Sequence, residues 1–132
     1  LMLARANERY AHGSLLAEKG EIRRYVAESA ADIQAARLLT LDAARAMVAG
    51  DDARVQIGLV KVRGAQMLHD VIDRAIQVHG ALGLTADLPL EKMYREARYA
   101  RIYDGPDEVH RDSVARRILS NPDAVPWSGA NG

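Results

Sequence analysis

The longest regular pattern of apolar and polar positions runs from about Leu15 to Ala49. Apolar residues recur there at intervals of three and four, with one interval of seven, which places them on one face of an α-helix. Gly20 is an alternative start for this helix, and Gly50 is well suited to end it. The apolar face comprises Ile22, Val26, Ile33, Ala36, Leu39, Ala43 and Met47.

A second helical pattern follows Asp51 or Asp52, either of which can cap a helix, and reaches about Val78. Gly58 and Gly64 lie inside it, and each costs the helix about 1 kcal/mol relative to alanine. Such glycines are tolerable where a neighbouring helix approaches closely, so the sequence predicts a close contact at these positions. The inward face comprises Ile57, Val60, Gly64, Leu68, Val71 or Ile72, and Ala75.

Shorter helical patterns precede and follow these two. Residues 2–10 read as the last turns of a helix whose start is missing, with Gly13 as its stop. Asp87 and Pro89 begin a third helix, since proline suits the first turn. The corner at residues 104–106 ends that helix and starts the last one. The apolar positions are Leu90, Met93, Ala97 and Ile102 in the third helix, and Val109, Val114, Ile118 and Leu119 in the last.

No segment shows the alternation of a β-strand, and the helical segments are separated by short turns. The chain is therefore predicted to be all-α, with antiparallel helices. Its 132 residues suit one domain, which we assign to residues 1–120, followed by a turn-rich and flexible tail over residues 121–132. Aromatic residues make up only 5% and Phe is absent, so Ala, Leu, Val and Ile must fill the interior.

Composition excludes several functional classes. Basic and acidic residues both number 18, so no net charge attracts the chain to nucleic acid or to an anionic membrane. No apolar run approaches the ~20 residues that a membrane span needs, and the N-terminus does not resemble a signal peptide. The absence of cysteine excludes a disulfide framework, a thiolate metal site and a Cys nucleophile. The abrupt helical start without Met predicts a piece cut from a longer protein.

Two patterns that could bind a metal or a nucleotide have ordinary explanations. The four histidines are scattered, and the pair Asp107 and His110 has the spacing of di-iron helical bundles but occurs only once, so no metal site is predicted. Gly80 and Gly83 do not follow a strand, which excludes a dinucleotide-binding turn. These glycines either end a helix or allow backbone N–H groups to approach a ligand.

Two charged features leave their roles open. A row of arginines in the third helix is either a solvated face or a set of ion pairs. Asp104 is either a turn residue, because Asp-Gly is common in turns, or a functional carboxylate. The row consists of Arg95, Arg98 and Arg101, and its acidic candidates are Glu91 and Glu96.

Three segments together resemble the C-terminal helical domain of acyl-CoA dehydrogenases. They are QVHGALG at 77–83, DLPLEK at 87–92 and IYDGPDEVH at 102–110. They follow the order and spacing of the family's Q-x-x-G-G-x-G, its proline-started helix and its I-Y-E-G-T-x-Q. The resemblance runs from about Glu8 to Leu119. Asp104 stands where most relatives have Glu, which is similar to acyl-CoA dehydrogenase family members ten and eleven.

The resemblance implies an up-down antiparallel four-helix bundle whose first helix is truncated here. It implies an enzyme that binds FAD and oxidises an acyl-CoA thioester to the trans-2-enoyl-CoA, passing electrons to an electron-transferring flavoprotein. Asp104 matches the base that removes the α-proton, and its own N–H matches a donor to the thioester oxygen. Shielding by acyl chain and flavin would make this carboxylate a stronger base. Tyr103 and Gly105 would line the substrate side.

The resemblance also implies contacts to FAD, some of them across a homodimer or homotetramer. Arg9 matches the arginine that grips the pyrophosphate, although His12 replaces the family's aromatic residue and Gly20 its glutamine. Pro106 has no hydroxyl, unlike the family's threonine, so backbone N–H groups of the last helix would replace that contact. The positions that match cofactor contacts are Arg9, Gln77, Gly80, Ala81, Pro106 and Glu108.

The resemblance leaves alternatives open. The same fold is implied for acyl-CoA oxidases, nitroalkane oxidases and flavin monooxygenases, and a non-catalytic helical module for oligomerisation is a further possibility. We expect a cytoplasmic protein in a bacterium, or one of the mitochondrial or peroxisomal matrix in a eukaryote, and not a secreted one. The chain on its own is expected to be inactive and largely free of FAD.

Overall fold

The helix of residues Arg54–His79 lies at the centre of the fold and packs against the other four helices described. The computed structural model describes residues 1–126, and within them five α-helices carry most of the chain. The prediction of an all-α fold is confirmed. The helices are α1 Met2–Glu8, α2 Gly20–Ala49, α3 Arg54–His79, α4 Leu90–Tyr99 and α5 Asp107–Ser120.

A small β-hairpin between α1 and α2 was not predicted. Strand β1, Tyr10–Ala11, pairs antiparallel with β2, Ser14–Leu15. The two loop residues, His12 and Gly13, have φ of 51° and 83°, as a two-residue hairpin of type I′ requires. Gly13 is therefore a hairpin residue and does not end a helix. Strands of two residues are too short to produce a readable alternation.

Helices α2 and α3 form an antiparallel pair built on small side chains. α2 begins at Gly20, because a short 3-10 turn occupies residues 16–18. Its buried residues include Ala36 and Ala43, and α3 buries Ala65, Ile72 and Ala75. Four positions predicted to face inward are instead 41–61% exposed, because neighbouring elements among the described residues pack against only part of the surface of each helix. They are Ile33, Met47, Ile57 and Leu68.

The two glycines of α3 differ in their surroundings. A Cβ built on Gly58 would lie 2.5 Å from Cγ2 of Val114 in α5, so the helices touch there. A Cβ built on Gly64 meets no atom within 4 Å in the described residues. The prediction of a close helix contact is right for Gly58 and wrong for Gly64.

The third helix is shorter than predicted. α4 ends at Tyr99, and Ile102, which was predicted among its apolar positions, is 57% exposed in the following turn. Beyond α5, a 3-10 turn occupies Pro122–Ala124. The flexible tail stays a prediction, and its residues 127–132 lie outside the described part. None of the helices described in residues 1–126 is both long and apolar enough to cross a membrane.

Candidate functional site

The α4–α5 corner, residues 100–106, has an unusual backbone at its centre. Asp104 and Gly105 have consecutive positive φ values of 54° and 92°. A residue with a side chain in this left-handed region costs about 1–3 kcal/mol and persists only where its surroundings hold it. Within residues 1–126 the other such residue is His12, in the hairpin turn. Strained backbone of this kind concentrates at functional sites.

A buried ion pair links the two ends of the corner. Nε of Arg101 donates to Oδ2 of Asp107 at 2.8 Å, and the Asp107 side chain is only 1% exposed. Asp107 N–H donates to the carbonyl of Arg101 at 3.2 Å, and Arg111 lies 3.5 Å from the same carboxylate oxygen. The hydrogen bond to Asp107 raises the pKa of the Arg101 guanidinium above its ordinary value.

His110 of α5 contacts the two strained residues. Its Nε2 lies 3.0 Å from the Asp104 carbonyl oxygen, at hydrogen-bonding distance. A Cβ built on Gly105 would lie 2.9 Å from the same ring nitrogen. Two features therefore favour glycine at position 105: its positive φ, and the histidine ring that packs where a Cβ would lie.

Lys61 reaches the corner from α3. Its Nζ donates to the carbonyl of Ala100 at 2.7 Å and to that of Tyr103 at 2.8 Å. The same ammonium lies 4.6 Å from the centroid of the Tyr103 ring, in cation–π geometry. The Tyr103 ring also contacts that of Tyr99, with centroids 5.5 Å apart.

The corner offers one carboxylate and one backbone donor to a ligand. The Asp104 carboxylate is exposed, and the Asp104 N–H has no acceptor among the hydrogen bonds of the described residues. An acid and an N–H on one residue can remove a proton and stabilise the resulting oxyanion. No group of three His, Asp or Glu side chains in residues 1–126 is arranged to hold a metal ion.

Comparison with protein families identifies the chain. A model of the C-terminal domain of acyl-CoA dehydrogenases matches residues 1–119. The chain belongs to the acyl-CoA dehydrogenase family. The resemblance found in the three sequence segments is confirmed.

Individual relatives agree in sequence and in fold. The probable acyl-CoA dehydrogenase FadE2 of Mycobacterium tuberculosis is 44% identical over 91% of this chain and 30% of its own. Acyl-CoA dehydrogenase family member 10 of Mus musculus is 46% identical over 92% of this chain and 12% of its own. A solved Mycobacterium abscessus structure assigned to the acyl-CoA dehydrogenases has a TM-score of 0.86 at 40% identity, covering 90% of this chain and 30% of its own. The chain thus spans at most 30% of each of these proteins.

Within this acyl-CoA dehydrogenase domain, the predicted site residues fall into separate groups. Residues 103–106 form part of the corner, and Glu108 follows in the first turn of α5. Gln77, Gly80 and Ala81 are exposed around the C-terminus of α3, where Gly80 has a φ of 64°. Lys61, which touches the corner, precedes Gln77 by 16 residues, so these two groups are ~24 Å apart along α3. Arg9 is exposed after α1, and its carbonyl accepts the Leu16 N–H at 2.9 Å.

Sequence reasoning missed the residues that support the corner. Lys61 and its partners are 39 and 42 positions apart, which leaves no local pattern. Arg101 was placed in a row of arginines, but its partner is Asp107, beyond the corner. His110 was considered as a metal ligand, and its contact with the corner was not predicted. Of the two alternatives left open for the arginine row, an ion pair does form at Arg95, with Glu91 at 2.9 Å.

Proposed function

We propose that this chain is the C-terminal domain of an FAD-dependent acyl-CoA dehydrogenase that converts an acyl-CoA thioester to the trans-2-enoyl-CoA. The single observation that carries the proposal is the strained corner, where Asp104, the residue that matches the family's catalytic base, has a φ of 54°. Asp104 would be the base that takes the α-proton. Family membership supports the same assignment, as does the Asp104 N–H, which has no acceptor among the hydrogen bonds of the described residues.

The chemistry explains why an acid and an N–H are needed on one residue. A proton α to a thioester carbonyl is weakly acidic, so its removal needs a positioned base and a stabilised enolate oxygen. The Asp104 carboxylate would accept the proton, and the Asp104 N–H would donate to the thioester oxygen. Gly105 turns the chain away, which leaves room for the substrate beside this residue.

Residues on the surface of the chain fit FAD unevenly. FAD, when bound, supplies a two-electron acceptor for the hydride from the β-carbon. The exposed guanidinium of Arg9 suits a pyrophosphate, and the exposed amide of Gln77 suits the adenosine half. The start of α5 suits a phosphate poorly, because it carries two carboxylates and the Asp107 N–H already donates to Arg101. Pro106 and Glu108 are therefore the least supported of the cofactor positions.

The wider assignments rest on the family resemblance. The partners would be an acyl-CoA substrate, an electron-transferring flavoprotein as acceptor, and further copies of the chain in a homodimer or homotetramer. The compartment would be the bacterial cytoplasm or a eukaryotic mitochondrial or peroxisomal matrix.

The test is Asp104→Asn in the intact, flavin-loaded protein, assayed for enoyl-CoA formation from butanoyl-, octanoyl- and hexadecanoyl-CoA. Loss of the base should lower turnover by at least ~100-fold, with FAD absorbance retained. Asp112→Asn is the matched control, because that exposed carboxylate pairs with Arg116 on the outside of α5. If Asp104→Asn turns over like the control, the chain has a scaffolding role and the catalytic assignment is wrong.

A second test uses residues 1–132 alone. We expect this chain to show no flavin absorbance after purification and no dehydrogenase activity, because Arg9 and the Gln77 group lie on open surface and provide no enclosed pocket for the ring system. Stoichiometric FAD on the isolated chain would contradict this expectation.

A further inference from the structure

Lys61 is the one described side chain from α3 that donates hydrogen bonds to the corner. Ala100 follows the last residue of α4, so its carbonyl is among those left without a helical partner. An ammonium at a helix C-terminus satisfies such carbonyls and complements the helix dipole. This contact alone would make Lys61 a helix cap.

The second contact has a different consequence. The Tyr103 carbonyl and the Asp104 N–H belong to one peptide unit, and no peptide bond within residues 1–126 is cis. In a planar trans peptide these two groups point in opposite directions. By holding the Tyr103 oxygen at 2.8 Å, Lys61 therefore also fixes the direction of the Asp104 N–H.

The charge of Lys61 acts through the same peptide unit. A cation on a carbonyl oxygen polarises the peptide, and hydrogen bonds linked through one peptide strengthen each other. The Asp104 N–H becomes a stronger donor, and it has no acceptor among the hydrogen bonds of the described residues. The cation–π contact with Tyr103 keeps the ammonium in place.

We propose that Lys61 is a positioning residue that orients and polarises the Asp104 N–H toward the thioester oxygen of the substrate. The inference rests on the proposed function, because it assigns that N–H to the oxyanion. Lys61 does not itself touch the substrate. His110 holds the carbonyl on the other side of Asp104, so the two peptide units that flank the base are both fixed.

The experiment compares Lys61→Met and Lys61→Arg in the intact, flavin-loaded protein, with rates normalised to bound flavin. The probe is whichever of butanoyl-, octanoyl- and hexadecanoyl-CoA turns over fastest. Lys61→Met keeps the apolar stem but removes the donors, and we expect kcat to fall roughly tenfold to a hundredfold with KM nearly unchanged. Lys61→Arg restores a charged donor and should recover most of the rate. Lys92→Met is the control, since Lys92 has a 72% exposed side chain near Glu96.

Two further readouts separate positioning from a general loss of structure. Slower proton abstraction should enlarge the kinetic isotope effect on an α,α-dideuterated substrate in Lys61→Met, whereas a smaller fraction of folded enzyme leaves that effect unchanged. Backbone hydrogen exchange in the ligand-free protein should quicken at residues 100–105 and not at the distant 77–81 turn.

The outcomes distinguish this inference from the proposal on which it rests. If Asp104→Asn abolishes turnover while Lys61→Met leaves kcat and the isotope effect unchanged, Lys61 is only a helix cap and the inference fails alone. If Asp104→Asn retains turnover, the assignment of the base fails first. A rate loss that Lys61→Arg does not recover at all also overturns the positioning role.

Discussion

Gly58→Ala tests whether the close contact between α3 and α5 is as tight as the structure shows. The added methyl would lie 2.5 Å from Cγ2 of Val114, whereas ordinary van der Waals contacts are 3.4–4 Å. Val114 is 9% exposed, so its side chain has little free space into which it could turn. Either the side chain or the whole of α5 must move by about 1 Å.

Two opposing effects determine the magnitude. Alanine in place of glycine stabilises a helix interior by about 1 kcal/mol. Overpacking of this kind costs about 1–3 kcal/mol. The net change for Gly58→Ala is therefore a destabilisation of about 0–2 kcal/mol. Gly64→Ala gains the same helix propensity without a clash, because nothing lies within 4 Å of its built Cβ.

Comparison of the two variants isolates the packing effect, since the propensity gain is common to both. Urea unfolding followed by circular dichroism should place Gly58→Ala about 1–3 kcal/mol below Gly64→Ala. Val114→Ala removes the clashing methyl, so the double variant Gly58→Ala/Val114→Ala should lose less stability than the two single changes added together. Equal stabilities of the two glycine variants, or strict additivity, would refute the close contact.

Two further variants test the corner itself. Gly105→Ala should destabilise the protein by about 1–3 kcal/mol, because its φ is 92° and the new Cβ would meet His110. Thermal unfolding measures the loss. Adding His110→Ala should restore only the stability lost to that contact, and not the stability lost to the φ. Asp107→Ala leaves Arg101 without its partner and should cost about 3 kcal/mol, the low end for a buried pair because the Arg101 side chain is 26% exposed. Asp107→Leu combined with Arg101→Met should be nearly neutral. A cost below about 0.5 kcal/mol for Asp107→Ala would mean that the pair contributes no more than a surface ion pair.

Periodicity predicted the helices well and their surroundings less well. The start of α2 was placed at Leu15 or Gly20, and its end at Gly50 is correct to within a residue. The same pattern could not show which side of the helix is covered. An apolar face indicates that a helix side can be buried, but not which other element packs against it. Met47 was predicted to face inward on this basis, and it is 61% exposed.

The candidate site was predictable where its signal was local. Asp-Gly favours a turn with left-handed residues, and Asp104 and Gly105 adopt that conformation. The groups that hold this turn come from elsewhere in the chain, and each is an ordinary residue at an ordinary helical position. Lys61 resembles any polar residue of α3, and only the folded arrangement brings it to the carbonyls of Ala100 and Tyr103.

The contacts that hold the corner in place act on its backbone and not on the Asp104 carboxylate. Lys61 holds the peptide before Asp104, His110 holds its carbonyl, and the Arg101–Asp107 pair joins the two ends of the turn. The carboxylate is exposed to water in this chain. Under the proposed function, the direction of the oxyanion donor, the Asp104 N–H, is set before substrate binds, whereas the exclusion of water from the carboxylate comes with the acyl chain and flavin. Such prior orientation is what lowers the barrier in electrostatic catalysis, since the dipoles need not reorganise during the reaction.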